Sequence, residues 1–196
     1  MEKINFIKTF IPQGDFREKY EHGGMMVHHL AAVLDEKMGA YECYECTVPI
    51  GEYDEGEIQK AFIEFTAKMD ALKLKQAKVE KIAEITAYDT SDKVNGFVLN
   101  GLLVWLDKAT RVGLMNSTTI AKAAGQQTTT LWLGDVKLEV DCDKAIQLLS
   151  ALEMYALECF NVTAAHKAAV TDLKTIKEVE AFDVTADYPK QLEMKL

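Results

Sequence analysis

Residues 94–116 read VNGFVLNGLLVWLDKATRVGLMN and place two short apolar runs on either side of Asn100 and Gly101. An Asn-Gly pair accepts the positive φ angles of a type I′ turn, so the stretch predicts a tight β-hairpin. Asp107 follows as a candidate N-cap, and the apolar spacing predicts a helix over 108–124 that ends at a glycine. The stretch therefore predicts a strand-strand-helix unit.

Residues 128–140 repeat this plan. TTTLWL and VKLEV flank a Gly134-Asp135 pair suited to a type II′ turn, and Asp141 stands where the next helix needs an N-cap. The helix that follows carries a wide apolar face and is predicted to be buried. The order ββα-ββα predicts an α+β domain over 92–196, in which a four-stranded antiparallel sheet is covered on one face by helices.

The first part of the chain gives weaker patterns. Residues 3–11 alternate loosely and predict a short strand. Apolar residues recur at helical spacing from Val27 to Met38, which predicts a short helix, and AYECYECTVPIG is aromatic and β-branched enough to predict a strand. We therefore expect an N-terminal α/β segment of unknown type over 1–55, a long helix over 56–91, and then the α+β domain.

The long helix carries an apolar stripe at alternating steps of four and three residues, which is typical of a coiled-coil seam. The stripe predicts an oligomer interface between copies of the chain, in which a polar glutamine sets the register. It fits equally a helix that packs on its own domain, and the sequence leaves both interpretations open. The residues of the seam are Ile58, Phe62, Phe65, Met69, Leu72, Gln76 and Val79.

The composition limits the kinds of partner that the chain can bind. The chain has 196 residues, of which 48% are hydrophobic, and a formal net charge of -9. An acidic protein without a basic run repels phosphate backbones and anionic lipid, so we expect neither nucleic acid nor a membrane as a partner. No apolar stretch approaches the ~20 residues of a membrane-spanning helix. Four cysteines in this length fit reduced thiols in a cytoplasm.

Cys43 and Cys46 are the first candidate metal ligands or redox pair. A redox pair needs a following helix, whereas a proline and a glycine follow here, and in a strand the two side chains point to opposite faces. His28 and His29 could complete a zinc site only through the fold. A metal-binding domain that uses these cysteines stays as the less favoured alternative, and we expect no metal.

Other titratable groups give no catalytic pattern. Cys159 and His166 are about two helical turns apart, too far for a nucleophile and its base, so a core histidine bonded to a carbonyl is expected. Glu178, Glu180 and Asp183 lie in an acidic run typical of a solvated surface. The phosphate-binding, zinc-protease and serine-hydrolase motifs are absent. The sequence therefore predicts no enzyme and no cofactor.

Motif order and residue type carry a resemblance. The segments DTSDKVNGFVLNGLLVWLDKATRVGLMNS, TTTLWLGD, KAIQLLSALEMYALECFNVTAAHKAAV and EAFDVTADYP resemble an uncharacterised domain family of tailed bacteriophages and of prophages of gut bacteria, over roughly residues 80–194. The resemblance implies a gene near those for tail fibres and baseplates. It supplies no catalytic residues.

Together these observations predict a phage virion-associated structural or adaptor protein of the tail-fibre or baseplate region. It would be made in the host cytoplasm and assembled into the virion. Its expected partners are its own copies, with a trimer favoured over a dimer because phage fibres are often trimeric, and other phage structural proteins. The alternative is a tail-fibre assembly chaperone that leaves before the particle matures.

Overall fold

A computed structural model describes residues 4–134 and 136–195 of the chain. The chain divides into two compact units, Met1–Lys73 and Leu74–Leu196. The boundary lies inside a single long helix, α1, which spans Glu55–Asp89 and was predicted from its apolar stripe. The segment boundaries predicted at 55/56 and 91/92 stay predictions.

The N-terminal unit is built on a four-stranded antiparallel sheet in the order β1-β4-β3-β2. A short 3₁₀ turn at Ile50–Glu52 then leads to helix α1. The strands predicted in residues 3–11 and in AYECYECTVPIG are confirmed as β1 and β4. The strands are β1, Ile7–Pro12; β2, Lys19–His22; β3, Met25–Asp35; and β4, Ala40–Pro49.

The start of α1 covers one face of this sheet. Ile58 and Phe62 of the helix pack against Phe6, Leu30 and Cys46 from the sheet, and all five are buried. The rings of Phe6 and Phe62 meet edge to face with centroids 5.2 Å apart, which is a favoured geometry for aromatic pairs. This cluster is the core of the N-terminal unit.

The helix predicted from Val27 to Met38 is wrong. Gly23 and Gly24 adopt φ angles of +57° and +79° and close a two-residue hairpin, so the residues after them enter β3 instead. Strand β3 pairs with β2 on one side and with β4 on the other. Residues 27–30 are all buried because both faces of the sheet are covered there, and this removes the polar-apolar alternation that marks a strand.

The C-terminal unit confirms the α+β class and the ββα-ββα order. Two hairpins each lead into a helix, and a short helix and a short strand follow the second. The elements are β5, Phe97–Leu99; β6, Leu102–Val104; α2, Lys108–Ala123; β7, Thr128–Leu133; β8, Val136–Asp141; α3, Cys142–Asp172; α4, Ile176–Glu180; and β9, Glu193–Met194.

The turn and cap predictions are confirmed for the described residues. Asn100 and Gly101 have φ angles of +50° and +86°, as a type I′ turn requires. The Asp107 carboxylate accepts a hydrogen bond from the Thr110 amide, and the Asp141 carboxylate caps α3 in the same way. In the second hairpin Gly134 has positive φ, whereas Asp135 of the predicted turn lies outside the described residues.

The sequence predicted that the four hairpin strands form one sheet, but they belong to two separate sheets. Strand β9 pairs in parallel with β5, so the first hairpin belongs to a three-stranded sheet in the order β6-β5-β9. Strands β7 and β8 form a sheet of their own. Among the described strands, the four-stranded antiparallel sheet is the one in the N-terminal unit. The prediction failed because β9 takes the open edge of β5, and a two-residue strand has no sequence signature.

The approach of β9 depends on a glycine. A Cβ atom at Gly96 would lie 2.3 Å from the Asp92 carbonyl oxygen, so no larger residue fits there without movement of the backbone. The Gln191 side-chain amide donates to that same carbonyl oxygen at 3.0 Å, and the Val98 amide donates to the Leu192 carbonyl at 2.8 Å. The segment before β9 is thereby bonded along the first hairpin.

Helix α3 is the centre of the C-terminal core. Leu148, Leu149 and Leu152 are almost fully buried against Phe97 and Leu131 from the two hairpins. The helix runs without a break from Cys142 to Asp172. Among the described residues, no helix combines the length and the apolar character that crossing a bilayer demands.

Candidate functional site

A cleft of about 450 Å³ opens in the C-terminal unit, where the start of α2 faces the middle of α3. Trp105 and Arg111 lie on one side and Leu157 and Phe160 on the other, with Asp89 also in the lining. Clefts of this size that combine apolar walls with a few polar groups are the default candidates for binding sites. Sequence reasoning did not find this cleft.

Arg111 is the central polar residue of the cleft. Its side chain is buried, its Nε donates to Glu153 Oε2 at 2.7 Å, and its Nη1 donates to the Leu106 carbonyl oxygen at 2.6 Å. The guanidinium carbon lies 5.2 Å from the centroid of the Trp105 ring, which is a cation-π contact. These contacts fix Arg111 in one orientation and tie α2 to α3.

The carboxylates around Arg111 serve the fold itself. Asp107 caps α2, and the hydroxyl and amide of Thr110 donate to it and lower its pKa, so it stays charged at neutral pH. Asp89 accepts a hydrogen bond from the Thr163 hydroxyl at 2.7 Å. Glu153 is bound to Arg111. Each carboxylate is therefore an acceptor within the fold.

The thiol in the cleft is protonated. Burial raises the pKa of Cys159, and burial also raises the pKa of the neighbouring Tyr155, whose hydroxyl donates to the Val94 carbonyl oxygen at 3.1 Å. A thiol rather than a thiolate is a poor nucleophile. The cleft therefore presents fixed charges and apolar walls that suit binding.

Exposed apolar side chains continue from the cleft along α3. Met154, Leu157 and Phe160 follow one another at steps of three, so they lie on one side of the helix, and Phe160 is 66% exposed. A smaller pocket of about 140 Å³ on the other side of the Arg111-Glu153 pair is lined by Val112 and Met115. We call this surface, with the cleft, the pocket and the ion pair between them, the α2-α3 groove.

The predicted seam of α1 divides into two halves. Ile58, Phe62 and Phe65 pack in the N-terminal core, so the interpretation that the helix packs on its own domain holds for them. Met69 is half-buried. The remaining three residues are exposed, with Leu72 at 53% and Val79 at 55%. The predicted register residue, Gln76, donates its side-chain amide to Glu80 of the same helix at 2.7 Å.

Cys43 and Cys46 are both buried in β4. Burial raises the pKa of both thiols, that of Cys46 to about 11, so they are protonated at neutral pH and are poor metal ligands in this state. In the neighbouring strand β3, His28 lies opposite Cys46 and His29 lies opposite Glu45, and burial lowers the pKa of His28. Within the described residues, no three or more His, Cys, Asp or Glu side chains gather into a group that could hold a metal ion.

His166 is a core residue, as predicted, but its bonding differs from the prediction. It lies between the rings of Phe182 and Tyr188, at centroid distances of 5.2 and 5.5 Å. Its Nδ1 atom has no hydrogen-bond partner among the described residues, where a carbonyl was expected. Of the acidic run, Glu178 closes a capping box with Thr175 and the Asp183 carboxylate bonds Thr185.

A family of domains of unknown function, DUF4376, matches residues 76–186. The chain belongs to this family. The matched range covers more than half of the chain and falls within the C-terminal unit, so the DUF4376 domain holds the α2-α3 groove. It also overlaps the range of roughly 80–194 over which the sequence resembles a family of uncharacterised domains. No curated protein and no solved structure matches the chain.

A sequence signal for the groove does exist in Arg111. The chain has two arginines, and this one stands four residues after the N-cap, on the helix face that also carries Met115 and Thr118. An arginine on an inward-facing stripe indicates a buried ion pair, because an unpaired guanidinium is costly to bury. Its partner, Glu153, is 42 residues away in sequence, and no local pattern identifies it.

Proposed function

We propose that this DUF4376 protein is a structural or adaptor protein associated with the virion of a tailed bacteriophage, in the tail-fibre or baseplate region. It acts through contacts with other phage structural proteins and with its own copies. The resemblance of residues 80–194 to phage and prophage domains supports the setting. The observation that carries the mode of action is the α2-α3 groove. The proposal includes no catalytic step, cofactor, nucleic acid or membrane.

The groove has the composition of a protein contact site. Leu157 and Phe160 expose apolar area next to Arg111, which is already desolvated and fixed by Glu153. Contact sites derive most of their affinity from a few apolar and aromatic anchors, and arginine is enriched among them. Because the Arg111 side chain is already ordered before a partner arrives, it loses little conformational entropy when the partner binds.

The second contact in the proposal is self-association through the exposed half of the α1 seam. Leu72 and Val79 are seven residues apart and so occupy equivalent positions in successive heptads, with Gln76 between them. A trimer is favoured over a dimer because phage fibres are often trimeric. This contact is shorter than the three-heptad seam that the sequence predicted, since the first half of the seam packs inside the N-terminal unit.

Mass spectrometry of purified particles tests the structural role. We expect the protein in the particles at a fixed copy number per virion. Leu157→Glu and Phe160→Glu should remove it from particles, because each places a charge on the apolar wall of the groove. Ile120→Glu is the matched control, since Ile120 is exposed on α2 but does not line the groove. Equal incorporation of all three variants would contradict the proposed role of the groove.

Sedimentation velocity tests the self-association. Leu72→Lys with Val79→Lys should shift the full chain to a smaller species, because it places like charges at the contact. Ile63→Lys is the control, since Ile63 is exposed on the same helix outside the seam. If the parent chain is already a monomer at micromolar concentration, this part of the proposal fails.

A tail-fibre assembly chaperone is the second candidate. The groove keeps Met154, Leu157 and Phe160 exposed in the unbound chain, as a surface that holds an aggregation-prone partner does. A chaperone leaves before the particle matures, so it would be found in extracts of infected cells and not in purified particles. The same mass spectrometry therefore separates the two functions.

A further inference from the structure

We propose that two copies of the chain join through antiparallel pairing of strand β1 with itself, which merges two N-terminal sheets into one eight-stranded sheet. The contact is made by residues 7–11 of each copy. It lies outside the DUF4376 domain and does not depend on a phage setting. It also uses no residue of the α1 seam, so the two self-contacts are tested separately.

The open edge of the sheet is the first argument. Strand β1 is the outermost strand and pairs with β4 alone among the described strands. The Gln13 amide donates to the Gly39 carbonyl in continuation of this ladder. Backbone groups of alternate residues point to opposite sides in an antiparallel ladder, so residues 7, 9 and 11 face β4, while Lys8 and Phe10 face the open edge.

The side chains of β1 are complementary to their own copy in one register. With Thr9 opposite Thr9 of the second copy, Ile7 faces Ile11 of that copy, and these β-branched side chains share one face of the sheet. On the other face, Lys8 lies opposite Phe10 of the second copy. A lysine already lies over this ring within one chain, where Lys8 Nζ is 5.8 Å from the Phe10 centroid.

Backbone hydrogen bonds favour the same register. Lys8 and Phe10 of the second copy form a hydrogen-bonded pair, and the symmetric pair repeats it, so the edge groups of both residues are satisfied. A shift of two residues one way places Lys8 opposite Lys8, with like charges in direct contact. A shift the other way places Lys8 opposite Pro12, which has no amide hydrogen to donate. Odd shifts are excluded because residues 7, 9 and 11 are bonded to β4.

The exposed apolar side chains of β1 support a contact that covers them in the dimer. Ile7 is 59% exposed and Phe10 is 49% exposed, on opposite faces of the same edge strand. Open apolar edges are templates for strand addition, and natural proteins often blunt them with lysine or proline. In the proposed register Lys8 does not block the edge, because it meets an aromatic ring. The opposite edge, β2, has only four residues, Lys19–His22, and each of their side chains carries a polar group.

Disulfide trapping in the full chain tests the register. In a non-hydrogen-bonded antiparallel pair the two Cα atoms are about 4.5 Å apart, which is within the range that a disulfide spans. Thr9→Cys should therefore give a covalent dimer under mild oxidation. Ile11→Cys should not, because its counterpart in the second copy lies about 13 Å further along the strand. All four native cysteines are buried, so the parent chain should not cross-link and serves as the negative control.

No cross-link with Thr9→Cys, or equal cross-linking by both variants, overturns the proposal, and in that case Lys8 and Pro12 protect a solvent-facing edge.

A second measurement uses dimer affinity. Phe10→Lys places two lysines opposite each other and should weaken the dimer about tenfold or more. Adding Lys8→Phe to it restores the complementary pair and should recover the affinity. Val33→Lys, which also replaces an exposed apolar side chain of the same sheet with lysine, is the control. If Phe10→Lys weakens the dimer no more than Val33→Lys does, or if Lys8→Phe brings no recovery, the proposal is wrong.

The self-association of the seam is distinguished by its own variants. A chain with Leu72→Lys and Val79→Lys should still form the Thr9→Cys cross-link. If it does not, the β1 contact depends on α1 and the proposal of an independent edge contact is wrong. If the cross-link forms while the sedimentation of the parent shows no seam contact, the β1 dimer stands and the seam proposal fails.

Discussion

The two hairpin-helix modules of the C-terminal unit follow one plan but bury their helices to different extents. In each module two paired strands precede a helix that is capped by an aspartate. Helix α3 buries ten residues, most of them apolar, whereas the buried residues of α2 are Arg111 and Thr118. Helix α3 is therefore the larger part of the core, whereas α2 contributes only the partly buried Leu114 and Met115 and is also tied to α3 by the Arg111-Glu153 pair.

The difference explains why the groove lies where it does. Arg111 and the partly buried Leu114 and Met115 attach α2, while Val112 and Ile120 remain exposed on the same helix. The polar contact also leaves a gap beside the ion pair, which the cleft and the smaller pocket occupy. Repetition of a supersecondary unit thus gives one helix that is buried along its length and one that leaves a groove beside it.

The strongest test of this contrast is Leu152→Ala in α3. Leu152 is fully buried in the core cluster, and truncation of such a leucine costs about 2–5 kcal/mol of unfolding free energy. Urea unfolding measures the loss. Met154→Ala, two positions away on the exposed side, should change the free energy by less than about 0.5 kcal/mol. Equal losses would show that α3 is not the core helix.

Arg111→Met should give the next largest effect, about 1–3 kcal/mol, because it leaves the Leu106 carbonyl without its donor. The loss stays below that of a fully buried ion pair because Glu153 is nearly half exposed and can be solvated. Chemical unfolding measures this value too. Lys108→Met, a change of the same charge on an exposed side chain in the same turn, is the control. A loss as large as that of Leu152→Ala would remove the distinction between the modules.

Asp107→Asn tests the cap of the first module through pH. Hydrogen bonds from Thr110 lower the pKa of Asp107 in the folded chain, so the carboxylate stabilises the fold above its ordinary pKa, near 4. This contribution is lost as the pH falls through the lowered folded pKa. The difference in melting temperature between the parent and the variant should therefore be constant above about pH 5 and shrink below about pH 4. A difference that does not depend on pH would mean that the charge is not involved.

The smallest effect is expected at the tryptophan of the second hairpin. Trp132 is more than half exposed, between Leu131 and Leu133, which are buried. Trp132→Thr should change the unfolding free energy by less than about 0.5 kcal/mol, as surface substitutions do. Thermal unfolding at two protein concentrations checks this. A larger loss that grows with concentration would show that Trp132 is covered in an oligomer.

Local signals made the two modules predictable from sequence. The Asn100-Gly101 turn and the Asp107 and Asp141 caps each depend on residues a few positions apart, and all are confirmed. The ββα-ββα order followed from them. The pairing of β9 with β5 could not be predicted, because it joins residues about 95 positions apart through backbone bonds that carry no side-chain signature.

The errors in the N-terminal unit have a different cause. Val27, Leu30 and Leu34 have helical spacing, yet they lie in a strand whose partners on both sides and on both faces determine its conformation. The long-range pairing prevails over the local period there. In α1 the same apolar stripe that suggests a coiled coil covers the sheet through Phe62, because a heptad pattern does not identify the surface that it meets.

The parallel pairing of β5 with β9 also determines when the domain can finish folding during translation. Ribosomes release the chain from its N-terminus onward, so both hairpins and both long helices of the domain emerge while the outer edge of β5 is still open. The sheet can be completed only after residues 193–194 have left the exit tunnel. Until then a holding factor, or an early aggregate, has access to a strand that the mature domain hides.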